Sequence, residues 1–591
     1  MKTHYLARFL IWRVRHISNR NFILILSTLV GIGAGLIAYI LKTTVFQIRN
    51  LFVDRLDVDT ELFWLIFYPS IGILITAIMR KRILRDTGSH SVSAILYAIS
   101  KRNSLMKRHK IFSSMLGGAL TAGFGGSVGL ETPVISSGSA LGSTLAKELH
   151  LSYKEITLLL ACGASGGIAA IFSTPIAAIV FALEVLLIDL SRFSLIPLLV
   201  ASSSGAFTTK ILSNESILFS FTKTEEFSGN DLLFFIILGV LIGFLAIYFT
   251  KTYIKIENYF SKIENYYKRV AIGGLILGLL IFIFPALYGE GFMTIRAILN
   301  QNYEDIIYFS LFKNYRYEFW VIVVFFALLA FIKVIATSVT ISAGGIGGIF
   351  APSLFVGAIS GFLFAFIFNN LGFEYQLSVI NFTLIGMAAM LGGVLHAPLT
   401  GIFLLAEISG GYELIAPLML CTTISYITVK AIYKESIFTY QLAQRGELIT
   451  HNKDKAVLTL MRLKTLIEHD LETINVNSSL RKLVEKVKIS KRNIFPVLNE
   501  QSMLVGIILL DDIREIMFKP EHYDTVFVRS LMNLPPSYIT TEDDMRLIMK
   551  KFKETNAWNL PVIENGKYLG FVSKSKMFEA YRKLLLEISS E

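Results

Sequence analysis

The chain has 591 residues, of which 53% are hydrophobic and only 17% are charged, and its mean hydropathy is +0.59. The hydropathy is higher and the charged fraction lower than in a soluble globular protein, which indicates a polytopic membrane protein. The formal net charge of +12 does not indicate nucleic-acid binding, because the cations cluster beside apolar segments and in a mixed-charge tail, where lipid headgroups account for them. The two cysteines, Cys162 and Cys421, lie in apolar runs and support neither disulfides nor a cysteine metal site.

The N-terminal residues 1–21 are basic and lead into an apolar run over residues 22–41. That run has no small-residue cleavage site of the signal-peptide kind. We therefore predict a retained first helix with a cytoplasmic N-terminus, followed by apolar segments as far as about residue 433.

Many of the apolar segments are too short to cross a bilayer of about 30 Å. The long spans, such as 23–41, 232–250 and 319–337, contrast with short ones separated by Gly and Pro, namely 112–123, 133–147, 155–171 and 175–190. Broken helices at bilayer depth are tolerated where the freed backbone is buried in protein or lines a polar cavity. The pattern predicts helices that stop partway through the membrane.

The glycine-rich stretch at residues 125–142 returns at residues 344–361, at an offset of 348 − 129 = 219. A second pair of segments, 174–184 and 397–407, also matches, with a glutamate closing each one. The sequence therefore contains two related halves, as in transporters built from inverted repeats around a central site. The matched residues of the first pair are Gly125, Gly126, Gly129, Pro133, Gly138 and Gly142 with Gly344, Gly345, Gly348, Pro352, Gly357 and Gly361.

Each half places a proline where a helix begins. Thr132 and Ala351 are expected near the N-caps of helices that start at about Pro133 and Pro352. Unpaired backbone N–H groups and the positive end of the helix dipole then attract anions. Such partial charges bind a small anion weakly enough for it to move on. Glycines such as Gly138 serve close helix packing as an alternative.

Glu131 stands in the first of these motifs, "GLETP". A carboxylate in a membrane core is costly unless it has a partner, and a helix start provides one. Ionised, it can occupy an anion site as a tethered competitor; protonated or displaced, it would leave that site vacant. The alternative is an acidic residue that only stabilises its helix. Upstream, Ser89 in "TGSHSVSAIL" offers a hydroxyl donor or an ordinary N-cap, and His90 is not expected to bind a metal.

The charged tail after residue 445 carries a second repeat. Residues 494–513 and 559–578 share an apolar-Pro-Val strand, a polar turn, an apolar-Gly strand and a helix. Pro496 corresponds to Pro561 and Gly506 to Gly570. The pattern predicts two small α/β units in a soluble domain of about 150 residues.

These motifs together resemble the CLC family of chloride channels and proton/chloride exchangers. "GSHSV" falls where the family has Gly-Ser-Gly-Ile-Pro, "GLETP" where it has Gly-Lys/Arg-Glu-Gly-Pro, and "GIFAP" matches the third motif. The resemblance implies that Glu131 is the gate and that Ser89 and the amides of Ile349 and Phe350 bind chloride. Gly129, Pro133, Gly348 and Pro352 belong to the helix-start motifs. It also implies a homodimer with one pathway in each subunit.

The sequence departs from the family at two positions that concern proton coupling. Exchangers usually carry a proton-relay glutamate directly after the position of Glu184, and here that residue is Val185. The chloride-binding tyrosine of the family corresponds to Phe438, which can contribute a ring but no hydroxyl donor; Tyr440 lies two residues on, in a different register. Glu184 itself is expected to be structural.

The tail resembles a tandem pair of CBS repeats, which is frequent at the cytoplasmic end of this family. Such pairs bind adenine nucleotides through an acidic residue six positions after the glycine, here Asp512 in the first repeat and Lys576 in the second. A purely structural, dimerising role is the alternative. The expected domains are a basic N-terminus (1–21), an all-α membrane domain of two inverted-topology repeats with broken helices (22–445), a linker (446–455) and α/β CBS repeats (456–519 and 520–591).

The sequence thus favours a gated passive chloride channel in a plasma membrane, with both termini cytoplasmic and no required cofactor. A proton-coupled chloride antiporter is the alternative. A CBS-regulated divalent cation channel is a distant one, because a hard cation needs converging oxygen ligands. The carboxylates deep in the spans are chiefly Glu131, Glu184 and Glu407, each isolated in the sequence. No HExxH pair or nucleophile elbow indicates an enzyme.

Overall fold

The chain forms two compact units, which divide between residues 448 and 449. The computed structural model describes residues 2–52, 62–83, 91–187, 192–213, 229–444, 458, 461 and 463–589. Within those residues the first unit is built of helices, and the second combines helices with two small sheets. This agrees with the predicted fold class.

The helices of the first unit follow the predicted apolar segments. They are α1 (Lys2–His16), α2 (Asn19–Phe52), α3 (Tyr68–Ile78), α4 (Val92–Lys101), α5 (Lys110–Gly123), α6 (Glu131–Glu148), α7 (Tyr153–Phe172), α8 (Pro175–Glu184), α9 (Arg192–Leu212), α10 (Leu232–Ser261), α11 (Tyr266–Ile283), α12 (Phe292–Leu299), α13 (Tyr303–Tyr308), α14 (Phe319–Ala343), α15 (Phe350–Asn369), α16 (Val379–Leu395), α17 (Pro398–Ile408), α18 (Ile415–Lys430) and α19 (Ile437–Gln444). Short 3-10 helices occur at Leu62–Ile66, Gly229–Asp231, Pro285–Leu287 and Lys313–Tyr315, with a π-helical turn at Met79–Ile83.

The described part of the chain contains both long and short apolar helices, as the sequence predicts, but α7, expected to be short over 155–171, has 20 residues and is long enough to cross a membrane. Among the described residues, eight helical segments are long and apolar enough to cross a membrane, while α4, α8, α16, α17 and α18 are apolar helices of 10–17 residues. The 14 residues of α5 rise only about 21 Å, which is short of a bilayer. Helix α8 ends at Glu184, six residues before the predicted end of its segment at residue 190.

Local sequence fixes where the tightly packed helix α7 begins. Ser152 precedes it and accepts a hydrogen bond from the backbone N–H of Glu155, while the Glu155 carboxylate accepts one from the Ser152 N–H at 2.8 Å. This capping box satisfies two N–H groups at the helix start. The same carboxylate also accepts from the Asn19 amide at 2.5 Å, which ties α7 to the start of α2.

Glycines bring two pairs of helices into backbone contact, one in each half of the sequence. Gly138 of α6 meets Gly163 of α7, and Gly357 of α15 meets Gly386 of α16. A Cβ built on Gly163 would lie 1.9 Å from the carbonyl oxygen of Gly138, and one on Gly386 would lie 2.4 Å from that of Gly357. The expectation of close small-residue packing is therefore confirmed for Gly138.

We expect Gly163→Ala to destabilise the membrane unit by about 1–3 kcal/mol, because its methyl group overlaps backbone atoms that cannot rotate away. Gly411→Ala is the matched control, since a Cβ at Gly411 has no heavy atom within 4 Å among the described residues. Thermal unfolding of both variants in detergent measures the difference. Equal unfolding temperatures would contradict the tight α6–α7 contact.

The second unit contains the two predicted α/β repeats. In each repeat a short strand lies parallel to a second strand, and that second strand pairs antiparallel with a third. Pro496 and Pro561 lie in the middle strands, with Gly506 and Gly570 in the strands beside them, as predicted. The elements are α20 (Leu463–Leu466), β1 (Ile474–Asn475), α21 (Leu480–Ile489), β2 (Ile494–Leu498), β3 (Leu504–Leu509), α22 (Leu510–Ile513), 3-10 helices at Pro520–His522 and Val528–Ser530, β4 (Ile539–Thr540), α23 (Met545–Thr555), β5 (Asn559–Glu564), β6 (Lys567–Ser573) and α24 (Lys574–Ser589).

Candidate functional site

Helices α6 and α15 begin two residues earlier than the sequence predicts. Their first residues are Glu131 and Phe350, so Pro133 and Pro352 are the third residue of each helix rather than the first. The reason is that the N–H groups of the first turn have no intrahelical acceptor. A proline anywhere in that turn therefore costs no helical hydrogen bond.

The earlier starts also change which residues precede the helices. Leu130 and Ile349 occupy the N-cap positions, while Thr132 and Ala351, expected as caps, are the second residues of α6 and α15. The N–H groups of Ile349 and Phe350 then stand at the N-cap and first position, where helix geometry gives them no intrahelical acceptor. They remain suited to hold an anion.

The two helix starts meet through a pair of equivalent glycines. Gly129 and Gly348 form an antiparallel bridge in which each N–H donates to the other's carbonyl at 2.9 Å. These are the residues that the sequence repeat matches at an offset of 219. A reciprocal bridge between equivalent residues is what an approximate two-fold axis produces, and it brings both motifs to one place.

Two threonines reinforce this junction in the same reciprocal way. The N–H of Ser127 donates to the Thr340 hydroxyl at 3.3 Å, and the N–H of Ile346 donates to the Thr121 hydroxyl at 3.0 Å. The donor Ile346 lies 219 residues after the donor Ser127, and the acceptor Thr340 lies 219 residues after the acceptor Thr121. These threonines lie outside the predicted motifs, although comparison of the sequence at that offset marks them.

The carboxylate of Glu131 lies between the two helix starts. The side chain is fully buried, and neither oxygen has a hydrogen-bond partner among the described residues. A Cβ built on Gly129 would lie 2.0 Å from Glu131 Oε2 and 3.1 Å from the Cβ of Ala351. The backbone N–H groups of Glu131 itself and of Ala351, one at each helix start, act on this carboxylate.

Glu131 is not isolated, contrary to the expectation from the sequence. Glu290 and Lys42 lie within electrostatic range of its carboxylate. Lys42 follows the apolar stretch of α2 and donates a hydrogen bond to the Ile171 carbonyl at 2.9 Å. Glu131 therefore has both a second carboxylate and a cation within electrostatic range.

Lys333 is a further buried charge that the sequence analysis missed. It lies in the interior of α14 with no exposed surface, and its Nζ donates to the carbonyl oxygens of Gly289 at 2.9 Å and Leu287 at 3.4 Å. The same ammonium stands 4.8 Å from the Phe355 ring centroid of α15. A lysine inside an apolar span is a sequence signal for such a site.

The structure describes one of the two remaining predicted chloride ligands, Phe438, but not Ser89. Ser89 lies outside the described residues, but the helix predicted after it is present as α4. Phe438 is buried as the second residue of α19, which packs against α4 and α16. The Phe350 ring packs against that of Phe172, with 5.3 Å between the ring centroids. The group of Phe350 that can bind an anion is therefore its backbone N–H.

Glu184 and Glu407 bind the starts of each other's helices. Glu184, the last residue of α8, accepts from the N–H groups of Leu399 (3.1 Å) and Thr400 (2.8 Å) of α17. Glu407 of α17 accepts from the N–H groups of Ile176 and Ala177 of α8, at 3.1 and 2.8 Å. Glu184 therefore has the structural contacts that the sequence analysis expected, and Val185 after it is a buried apolar residue.

We expect Glu184→Ala and Glu407→Ala each to destabilise the membrane unit by about 1–3 kcal/mol, because each leaves two N–H groups at a helix start without an acceptor. Glu374→Ala is the matched control, since Glu374 is exposed in the turn between α15 and α16. Thermal unfolding in detergent compares the three variants. A Glu184→Ala protein as stable as the control would contradict the capping role.

Asp512 lies at the start of α22 in the first CBS-like repeat. Its carboxylate accepts hydrogen bonds from the Leu509 N–H at 3.2 Å and the Asn533 amide at 3.0 Å. A cavity of about 350 Å³ opens next to it, and its lining includes the neighbouring Asp511 rather than Asp512. The remaining lining residues are Glu468, Leu471, Lys491, Arg492, Asn493, Ile494, Leu509, Leu510, Asn559 and Phe571.

Comparison with known families decides the membership of the chain. The family described as "Voltage gated chloride channel" matches residues 71–430, which is more than half of the sequence. The chain belongs to this family, known as CLC. Two CBS domains match residues 463–519 and 528–583. The resemblance inferred from the motifs is confirmed, and CLC proteins transport chloride across membranes.

Named relatives and solved structures agree with this membership. The H(+)/Cl(−) exchange transporter ClcA of Klebsiella pneumoniae subsp. pneumoniae is 26% identical over 414 residues, covering 67% of this chain and 83% of that protein. A slow cyanobacterial Cl−/H+ antiporter has a TM-score of 0.63 at 21% identity and covers 74% of this chain and 100% of its own. A eukaryotic CLC transporter has a TM-score of 0.60 at 17% identity, covering 95% and 99%. At these identities the two structures establish the CLC fold.

Proposed function

We propose that this CLC chain is a passive chloride channel whose gate is the carboxylate of Glu131. One observation carries the proposal: a fully buried carboxylate, without a hydrogen-bond partner among the described residues, lies between the starts of α6 and α15. Two helix starts are a favourable place for a negative charge. Ionised Glu131 therefore competes with chloride for one location.

The channel opens when this carboxylate leaves the helix starts. Protonation removes the charge that holds it there, and chloride then takes its place beside the amides of Ile349 and Phe350. Backbone amides carry partial charges, so they bind chloride without trapping it as a full cation would. Phe438 contributes a ring and Ser89 a hydroxyl to the same pathway, in line with the family motifs.

Val185 supports the channel over an exchanger. The position directly after Glu184 carries no carboxylate, and Val185 is buried at the end of α8. Glu184 cannot readily replace the missing relay, because its carboxylate is bonded to the start of α17. A proton would therefore lack a carrier on this route.

A proton-coupled chloride antiporter is the second candidate. Relatives of this chain are named as H(+)/Cl(−) exchangers or antiporters, and Glu131 has a second carboxylate, Glu290, within electrostatic range. An exchanger would need a proton route that does not use Val185. The charged groups near Glu131 are where such a route would begin.

Flux from liposomes separates the two candidates. Purified protein is reconstituted under a chloride gradient, with the voltage clamped by potassium and valinomycin, and chloride and proton movement are recorded together. We expect chloride flux without net proton movement. Protons driven uphill by the chloride gradient would overturn the channel in favour of the antiporter.

We also propose that the protein is a homodimer with one pathway in each subunit, in a plasma membrane and with both termini cytoplasmic. Its support is that both helix starts lie in a single chain and bond to each other there. One subunit can therefore supply a pathway without residues from its partner. Mass measurement in detergent tests the dimer, and protease access from each side of the membrane tests the termini.

For the CBS pair, we propose that its cavity binds an adenine nucleotide. A volume of about 350 Å³ suits a small ligand, and Lys491 and Arg492 bring hydrogen-bond donors to a lining that also holds the carboxylates of Glu468 and Asp511. Arg492 is partly engaged by Asp470, and this hydrogen bond holds the pKa of the Asp470 carboxyl below its usual range. Titration calorimetry with AMP and ATP on the full chain tests binding, and we expect Asp512→Ala to weaken it by loosening the turn beside the cavity. Absence of binding would leave the pair a structural role.

A further inference from the structure

Tyr288 contacts the backbone that leads into α6. It lies half-buried between α11 and α12, and its hydroxyl donates a hydrogen bond to the Gly123 carbonyl at 2.6 Å. Gly123 is the last residue of α5, and the α5–α6 loop (residues 124–130) connects it to Glu131, the first residue of α6. The hydroxyl therefore holds one end of this loop, while Glu131 follows its other end.

The hydrogen bond from Tyr288 completes the end of α5. The last carbonyls of a helix have no N–H donors from a following helical turn. Backbone N–H groups of residues 124–126 donate to the carbonyls of residues 120–122, at distances of 2.7–3.3 Å. The next carbonyl, that of Gly123, accepts from the Tyr288 side chain instead. The end of α5 thus depends on a residue 165 positions later in the sequence.

The Tyr288 ring lies against the same loop. Gly125 turns the chain with a φ angle of 94°, and a Cβ built there would lie 2.5 Å from the ring. Four residues on, a Cβ built on Gly129 would lie 2.0 Å from Glu131 Oε2. The loop that Tyr288 covers is therefore the backbone against which the carboxylate of Glu131 packs.

Lys333 fixes the position of Tyr288 from the other side of the chain. Its buried Nζ donates to the carbonyls that flank Tyr288, those of Leu287 at 3.4 Å and Gly289 at 2.9 Å. The same ammonium lies 4.8 Å from the Phe355 ring centroid of α15. Tyr288 is thus attached to α14 and α15, and its hydrogen bond ties the α5–α6 loop to those helices.

We propose that Tyr288 is a positioning residue of the gate, whose hydroxyl holds the α5–α6 loop where it confines the Glu131 carboxylate to the two helix starts. Without this hydrogen bond the loop moves more freely, and the closed position of the carboxylate becomes less favoured. Tyr288 acts on Glu131 through the loop backbone. This inference rests on the proposed gating role of Glu131.

The test measures chloride flux from proteoliposomes over a series of symmetric pH values. Tyr288→Phe removes the hydroxyl and keeps the ring. We expect its flux at pH 7 to rise about threefold and the midpoint of its flux–pH profile to move up by about half a pH unit, because a less favoured closed carboxylate is protonated and displaced more readily. Tyr288→Leu also removes the ring from Gly125 and should shift the profile further in the same direction. Tyr315→Phe is the matched control, since Tyr315 is exposed, and it should keep the native profile.

Double variants with Glu131→Ala separate a positioning role from a purely structural one. If Tyr288 acts through the gate, Tyr288→Phe should leave flux unchanged in that background. Equal changes of flux in both backgrounds would overturn the proposal, and so would a native flux–pH profile in Tyr288→Phe. A shift to lower pH would also overturn it, because that is the direction expected if the variant only moved Glu290 away from Glu131.

Failure of the gate itself gives a different result. If Glu131→Ala retained the native pH dependence, the gating function would be refuted together with the role of Tyr288. If Glu131→Ala abolished the pH dependence while Tyr288→Phe kept the native profile, the gate would stand and only the role of Tyr288 would be refuted.

Discussion

Replacing Glu131 with alanine should raise chloride flux at pH 7 roughly tenfold or more and abolish its dependence on pH. Each helix start stabilises a neighbouring anion by about 1 kcal/mol, so the two starts favour the closed carboxylate by about 2 kcal/mol. Removing that carboxylate leaves the location to chloride at every pH, and 1.4 kcal/mol corresponds to a factor of ten. Chloride efflux from proteoliposomes measures the change.

Glu131→Gln refines this test, because the amide keeps the side-chain volume but has no charge. We expect flux between those of the native protein and Glu131→Ala, with little response to pH. Glu407→Gln is the control, since that carboxylate also binds helix N–H groups but at the start of α8, away from the gate. A native flux and pH response in Glu131→Ala would refute the gate.

Gly129→Ala should open the same gate without altering the glutamate. A methyl group at this position would lie 2.0 Å from Glu131 Oε2, so the flexible carboxylate is displaced from the helix starts. We expect flux at pH 7 to rise roughly severalfold, approaching that of Glu131→Ala. In the double variant Gly129→Ala/Glu131→Ala, the methyl group should have little additional effect on flux.

The repeat supplies the matched control for this prediction. Gly348 is equivalent to Gly129 and forms the other half of the bridge, but a Cβ there would lie 2.3 Å from the Thr132 hydroxyl oxygen rather than from the gate. Gly348→Ala should therefore strain the junction without displacing Glu131. Similar increases of flux in both variants would indicate that loosening of the bridge, and not the carboxylate, controls conduction.

Much of the site could be predicted from the sequence because two motifs repeat at a fixed offset. The glycines and prolines at that offset located both helix starts, and an ionisable residue among them marked Glu131 as unusual in a membrane core. The helices begin two residues before the prolines that the sequence indicates as their starts, because proline is accommodated anywhere in the first turn. The sequence marks Glu184 and Glu407 as carboxylates within apolar segments, but it does not show that each binds the start of the other's helix.

The rest depended on contacts between segments far apart in the sequence. Glu290 lies in a glycine-flanked turn 159 residues after Glu131, and no periodicity connects the two. Lys333 stands within an apolar span whose length alone predicted an ordinary helix. Only the packing of α14 against α15 and the 287–291 segment shows that this lysine serves as an anchor.

The reciprocal caps of Glu184 and Glu407 have a consequence for the order of folding. The N–H groups at the start of α8 receive their acceptor from a residue 231 positions later, so they cannot be satisfied while only the first half has been synthesised. The pairing of equivalent positions is also that of a symmetric interface between two identical chains. Each half of this chain thus supplies the acceptor that a helix start of the other half needs.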